Sequence, residues 1–238
     1  MNIAIVGAGR AGMSFSLALS AVRHRVQLVH HDEIDEISPS DLVLLCVPDG
    51  AIEETAARLA PCEDRVLAHC AGSRTLDVLA GHPRVGSLHP LATLPSPERG
   101  APRLLGATYC VAGDALVDDV VASLGGHVLA LADDQRTLYH ATASVAANHL
   151  VALLGHVARL AEATGLNLDN FVPLARMALE DVAEAGPVVA LTGPASRGDL
   201  ATIDAHLAAM AESERATYVA MANAALALAE QRHLTLLA

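Results

Sequence analysis

The sequence predicts an α/β protein in which an N-terminal doubly wound sheet, residues 1–132, is followed by an all-α C-terminal domain, residues 133–238. Three observations predict this. The chain opens with strand, glycine turn and helix; short apolar runs then alternate with helical stretches; and beyond Asp133 only helical patterns remain. Strands alternating with helices indicate a parallel sheet covered on both faces.

Residues 2–6 (NIAIV) are apolar and β-branched, Gly7, Gly9 and Gly12 follow at G-x-G-x-x-G spacing, and residues 11–21 carry a helical apolar pattern. The spacing has a physical basis. Gly7 permits the tight turn, Gly9 lets a pyrophosphate approach the backbone, and Gly12 lets helix and strand pack closely, while free N–H groups at the helix start face the phosphates. The turn is therefore of Rossmann type, with Gly7, Ala8, Gly9, Arg10, Ala11 and Gly12 as candidate cofactor contacts. A turn that serves packing alone is the alternative.

The second strand, residues 25–29, ends at His30-His31-Asp32, where the adenosine ribose of a dinucleotide would lie. An acid here favours the 2′-hydroxyl of NAD and a basic residue the 2′-phosphate of NADP. His30 and His31 can contact either, so the choice between NADP and NAD stays open. Residues 33–40 are too short and polar for a full crossover helix. Residues 41–47 (DLVLLCV) form a buried parallel strand, broken by Pro48-Asp49-Gly50 ahead of a helix over 51–60. Residues 65–68 are the fourth strand, running to Cys70 and Gly72, with Ser73 as the cap of the next helix. Residues 85–88 are the fifth and lead into His89-Pro90, and a loop is expected over 91–105. Strands over 107–111 and 127–131 flank a helix over 115–124. Helices are then expected over 133–164, 169–185, 200–211 and 213–231. Ligands of open parallel sheets sit beyond the carboxyl ends of the strands, so Gly7, Val47, Pro48, Asp49, Gly72 and His89 should meet at one crevice.

Composition narrows the function classes. Net charge of −12 argues against a nucleic-acid surface, and 2% aromatic content with no Trp leaves little for base stacking. Cys46, Cys62, Cys70 and Cys110 show no C-x-x-C spacing and read as reduced thiols. No metal site is expected, because the twelve histidines show no metal-ligand spacing. His149 and His156 lie on a helix face where exposure is the default. With a strand beginning at residue 2 and no uninterrupted apolar run of membrane length, a soluble cytoplasmic protein without membrane contact is expected. The apolar C-terminal helices suggest a homodimer.

Five segments together carry a resemblance: VPDGAI (47–52), AHCAG (68–72), SLHPLATL (87–94), YHATASVAANHL (139–150) and LTGPASRGD (191–199) followed by His206. In this order they resemble Rossmann-like proteins with a C-terminal DUF2520 domain, within the wider 6-phosphogluconate-dehydrogenase-like superfamily. Ketopantoate reductase, pyrroline-5-carboxylate reductase and prephenate dehydrogenase are its better understood relatives. The resemblance implies an NAD(P)-dependent oxidoreductase, NADP slightly favoured, acting on a small molecule and dimerising through its helical domain. It does not name the substrate.

In prephenate dehydrogenases a similar His-Pro pair places a histidine on the substrate, so the resemblance makes His89 a candidate to donate or accept the proton that accompanies hydride transfer; its ordinary pKa of about 6.5 suits neutral pH. His140, Ser144 and Asn148 stand at i, i+4, i+8, within about 80° of one another around a helix and roughly 12 Å along it. Relatives place a Lys and an Asn at similar spacing, which assigns Asn148 to the reacting oxygen and leaves the protonating role to His89 or His140. Arg197 suits a substrate carboxylate or a cofactor phosphate. Asp199 is placed to cap the helix after it. The expected reaction is reduction of the C=O or C=N of a small carboxylated substrate, such as a 2-oxo acid of the ketopantoate type. The rival expectation is a nucleotide-binding sensor or interaction protein on the same fold, since no Lys occupies the Ser144 position.

Overall fold

Seven strands form one sheet in the order β2-β1-β3-β4-β5-β6-β7. The computed structural model describes residues 1–236. The strands are β1 (Asn2–Val6), β2 (Arg25–Val29), β3 (Leu42–Leu45), β4 (Val66–His69), β5 (Val85–Pro90), β6 (Thr108–Gly113) and β7 (His127–Ala130). β1 to β5 run parallel, β6 turns antiparallel to β5, and β7 is parallel to β6. Strand order reverses direction at β1, whose neighbours are β2 on one side and β3 on the other.

The strands alternate in what they bury. Ile3, Ile5, Leu42 and Leu44 face one core with Phe15 and Leu19 of helix α1 (Arg10–Ala21), whereas Ala4, Val6, Val43 and Leu45 face the other with Ile52 of helix α2 (Ile52–Ala57). A period of two with both faces apolar is what a doubly covered sheet demands. The second connection is abbreviated to a 3-10 turn, Ile34–Glu36, as the short polar stretch implied.

Two local expectations need correction. The stretch 91–105 contains helix α3 (Pro97–Leu104), with the Ser96 hydroxyl accepting from the Arg99 amide and Pro97 in the first turn. A Ser N-cap followed by Pro is a helix start, and the Pro and Gly content disguised it. Ser73 caps nothing: its hydroxyl donates to Asp49 Oδ2 at 3.1 Å, and the segment after it is a 3-10 turn, Leu76–Leu79, behind Thr75. Helix α4 (Leu116–Ser123) packs between β6 and β7 on the first core.

The chain divides into two compact units, 1–147 and 148–238. The compositional change at Ala132 therefore precedes the division, which falls inside a π-helical stretch, Val145–His149, between α5 (Arg136–Ser144) and α6 (Leu150–Glu162). The second unit also contains α7 (Val172–Ala185), the short α8 (Pro187–Ala190) and α9 (Gly193–Ser196), α10 (Leu200–Ala209) and α11 (Glu212–Leu236). Asp199 caps α10 as expected, accepting from the Thr202 amide at 3.1 Å and its hydroxyl at 2.7 Å.

His156 is buried rather than solvated, because Glu214 of α11 meets its Nδ1 at 2.7 Å and is itself held by Arg159. The run Asp133–Glu162 is long and apolar enough to cross a membrane by length and composition, with mean hydropathy 1.3 and 6% of its most apolar stretch buried. That corrects the expectation that no segment would qualify. Its first turns nevertheless belong to the sheet unit, through buried Arg136 and through Tyr139.

Candidate functional site

The glycine turn is built as its spacing requires. Gly7 has φ +108°, and a Cβ there would lie 2.6 Å from the Cys46 carbonyl oxygen. A Cβ on Gly12 would lie 1.9 Å from the Gly7 carbonyl oxygen, so α1 can seat against β1 only without a side chain. Around Gly9, by contrast, nothing lies within 4 Å of where a Cβ would stand. Gly9 is the N-cap of α1 and offers no capping side chain, and no acid occupies the first turn. The backbone at Gly9 is open to close approach beside the positive end of the helix, an arrangement fitted to a pyrophosphate.

Beside this turn, strand ends are tied together. Asp49 beyond β3 accepts from Ser73 beyond β4, and the Cys46 and Cys70 sulfurs lie 3.7 Å apart. His69, fully buried at the end of β4, accepts from the Ala71 amide at Nδ1 (3.2 Å), and its Nε2 faces the Thr75 carbonyl at 3.3 Å. This fixes the loop that presents Gly72. A Cβ on Gly72 would stand 2.6 Å from His140 Cδ2 and 2.8 Å from His89 Nε2. The sequence-predicted Gly72, His89 and His140 therefore converge.

His89 shares a 3.0 Å hydrogen bond between its Nδ1 and the Tyr139 hydroxyl, and its ring meets those of Tyr139 and His140 edge to face at 5.6 and 5.7 Å. Burial first, then the charges of His140 and Arg136, bring its pKa down to about 4. The ring is thus uncharged at neutral pH, whereas the ordinary value of 6.5 was expected for His89 as a residue that donates or accepts a proton. Burial likewise holds His69 at about 4, and burial raises the Tyr139 hydroxyl to about 12.

Tyr139 was missed by the sequence reading although it adjoins His140, since nothing in the pattern shows which neighbour turns to the sheet. Arg136 was missed too; it is 1% exposed, at the start of α5. His30 and His31 are exposed at the end of β2, where Arg58, just past α2, donates to the His31 carbonyl. A guanidinium thus stands beside the end of β2, supplied by a residue well outside the glycine motif. Ser144 is half-buried on α5. Asn148 and Arg197 are exposed residues of the second unit, and Asn148 lies in the π-helical stretch, so it departs from the strictly α-helical stripe. Such π turns are frequent at functional sites. His206 pairs with the Tyr218 hydroxyl at 2.7 Å.

The sequence model of the DUF2520 family, a domain of unknown function, matches residues 108–225, and the chain carries that domain. No curated protein matches the sequence. Among solved structures, a Bacteroides fragilis protein assigned provisionally as an NADP oxidoreductase is 22% identical, with a TM-score of 0.82 over 94% of this chain and 97% of that one. Protein TM1727 from Thermotoga maritima is 20% identical, with a TM-score of 0.76 over 97% and 99% of the two chains. The pyrroline carboxylate reductase of Plasmodium falciparum, solved with NADP bound, is 10% identical, with a TM-score of 0.62 over 98% of each chain. These likenesses establish the fold.

The buried neutral histidines make a testable contribution to stability. Folding lowers the pKa of His69 and His89 to about 4, from about 6.5 in an unfolded chain. The unfolded chain therefore binds more protons in that window. Stability is fully present above pH ~6.5 and is lost as pH falls toward ~4, each histidine adding a slope of up to about 1.4 kcal/mol per pH unit. Urea unfolding of the wild type and His89→Asn between these limits should show the variant with the shallower fall. Identical slopes would mean that His89 is not held neutral.

Proposed function

We propose that this chain, a Rossmann-type protein carrying a DUF2520 domain, is an NAD(P)-dependent oxidoreductase that reduces the C=O or C=N of a small carboxylated substrate. The observation that carries the reading is the Tyr139–His89 pair beneath Gly72, at the same strand ends as a glycine turn shaped for a pyrophosphate. Residues 7–12 would hold the pyrophosphate, and His30, His31 and Arg58 the adenosine ribose. When bound, the dinucleotide supplies the hydride.

The protein's part is the proton. With the Tyr139 hydroxyl donating to His89 Nδ1, the hydrogen of the neutral ring resides on Nε2, the atom beside Gly72. Nε2–H donates to the substrate oxygen or nitrogen and polarises it, as a neutral imidazole can in a dry site. As negative charge develops there, the Nε2 proton passes to the substrate and the Tyr139 proton to Nδ1. The tyrosinate left behind regains its proton from water. Burial opposes that tyrosinate, and the nearby charge of Arg136 favours it.

A 2-oxo acid of the ketopantoate type is the first substrate to test. A cyclic imino acid is the second, suggested by the pyrroline carboxylate reductase that shares the fold. NADPH oxidation with these compounds should be lost by about 10²-fold or more in His89→Asn and Tyr139→Phe. Nucleotide binding, read from NADPH fluorescence because the chain has no Trp, should persist in both. Binding without turnover of any such substrate in the wild type would favour the sensor reading instead.

Arg58 supports NADP as the cofactor, since a guanidinium pairs with a 2′-phosphate and a 2′-hydroxyl has no comparable need of one. Arg58→Ala should weaken NADPH about tenfold and leave NADH within about twofold. Equal losses for both would remove the 2′-phosphate assignment.

The same reading includes a homodimer. Helix α7 buries no residue, and Leu174, Met177 and Leu179 are 61%, 52% and 52% exposed. Sedimentation equilibrium at micromolar concentration should give twice the mass of 24.6 kDa, and Leu174→Glu with Met177→Glu should shift the protein toward monomer. A wild type that sediments at 24.6 kDa would dispose of this part.

A further inference from the structure

Arg136 is a buried cation whose charge is felt by the Tyr139–His89 pair, and among the described residues no ion pair answers it. Its Nη2 reaches the Ala71 carbonyl only at 3.5 Å, while Nε and Nη1 are buried without a hydrogen-bond partner. Among the described residues the ion pairs are Arg84–Asp114, His156–Glu214 and Arg159–Glu214, none of which involves it. Its positive charge is felt by His69, His89, Cys110 and Tyr139, each of which it pushes downward in pKa. The acid whose charge also reaches His69 and His89 is Asp49, an exposed residue engaged with Ser73.

An ion held out of water without a partner costs several kcal/mol. The chain has 27 Asp and Glu residues, and among the described residues none pairs with this guanidinium. The missing partner is therefore of a kind that arrives from outside. The Nε–H of a guanidinium lies parallel to one N–H of Nη2, and these two donors match the two oxygens of a carboxylate, as Asp114 and Glu214 do on Arg84 and Arg159. Among the described residues, the contact to the Ala71 carbonyl at 3.5 Å is the one hydrogen bond of Nη2, which carries two hydrogens.

We infer that Arg136 is the anion anchor of this site, taking the substrate's carboxylate at its Nε and Nη2 edge while His89 and Tyr139 serve the reacting carbon's oxygen or nitrogen. This deepens the oxidoreductase reading and rests on it. It also moves the anchor role from Arg197, which is exposed, to a residue whose desolvation is already complete. A carboxylate bound there would be held in a dry setting, where a charge-assisted pair is strongest. The assignment favours acids whose carboxylate lies close to the carbon being reduced, because the Ala71 carbonyl that Arg136 meets adjoins Gly72, the position next to His89 Nε2.

The test uses oxalate, a stand-in for a 2-oxo acid, and oxamide, its neutral counterpart, titrated by calorimetry into the protein after NADP⁺ binding has been measured separately. Oxalate should bind the wild type and oxamide should not. Arg136→Gln should weaken oxalate by about thirtyfold or more, the loss expected when one partner of a buried charged pair is removed. Arg136→Lys should restore part of it, with NADP⁺ affinity unchanged within about threefold in both variants. If NADP⁺ binds and oxalate binds Arg136→Gln as well as it binds the wild type, the anchor assignment is overturned. The same holds if the NADP⁺-loaded wild type ignores oxalate. If NADP⁺ itself does not bind, the oxidoreductase reading falls and takes the anchor with it. Should Arg136→Gln fail to fold, arginine-labelled wild-type protein keeps the question open to NMR: the Arg136 Nε–H resonance, assigned by its loss in Arg136→Lys, must move on addition of oxalate, and a stationary signal refutes the proposal.

Discussion

Among the glycines of the sheet unit, Gly12 sits tightest where α1 meets the end of β1: a side chain there would stand 1.9 Å from the Gly7 carbonyl oxygen. This contact fixes where the helix begins, and with it the direction in which its free amides point. The parallel register carries the consequence across the sheet. Val6 pairs with Leu45 and Leu45 with His69, so the residues that follow each strand leave the sheet at one level. The Cys46 carbonyl then packs under Gly7, Cys70 lies against Cys46, and the loop fixed by His69 brings Gly72 over His89. A shift of α1 would pass through Cys46 to each of these. Close packing of this kind transmits displacement instead of absorbing it.

The electrostatics of the strand ends follow from the same burial. Two histidines lose their charge there because water is excluded, while the guanidinium of Arg136 keeps its own, since arginine stays protonated under any ordinary condition. The result is one fixed positive charge among neutral hydrogen-bonding groups, inside a chain whose net charge is −12. That excess of acids belongs elsewhere: Asp114 and Glu214 serve their own arginines, and Asp49 binds a hydroxyl. A neutral imidazole donates a hydrogen bond without carrying a charge that would repel Arg136. Tyr139 gains from the same field, because the cation stabilises its anion against the cost of burial.

Much of this was legible in the sequence, for reasons that separate cleanly. The glycine spacing, the doubly apolar strands and the short second crossover are local patterns with one structural solution each, and β1 through β5 follow from them. The convergence of Gly72 and His89 was legible as well, because strand ends of a parallel sheet meet by topology. What stayed hidden depends on partners distant in sequence. Nothing near His156 announces Glu214 fifty-eight residues on, so its burial was invisible. Helix α3 was masked by its own Pro and Gly content, although Ser96-Pro97 marks its start. The π-helical stretch at Val145–His149 breaks a periodicity that the sequence continues without a sign. Arg136 and Tyr139 look like surface residues of an amphipathic helix until the face they present is known.

The limits of the family domain give this division a further meaning. The DUF2520 match begins at residue 108, within a strand of the sheet, and so cuts across the compact unit of residues 1–147. The glycine turn, Gly72 and His89 precede it, whereas Arg136, Tyr139 and His140 fall inside it. Two sequence segments of different character thus complete one cluster within a single unit: the earlier brings a nucleotide-shaped turn and a neutral imidazole, and the later brings the hydroxyl bonded to that imidazole and the unpaired cation. β6 and β7 join the two parts, since His89 pairs with Cys110 in the sheet and Arg136 follows β7 after a single turn. The family match therefore begins in the sheet itself, in the strand that pairs antiparallel with β5.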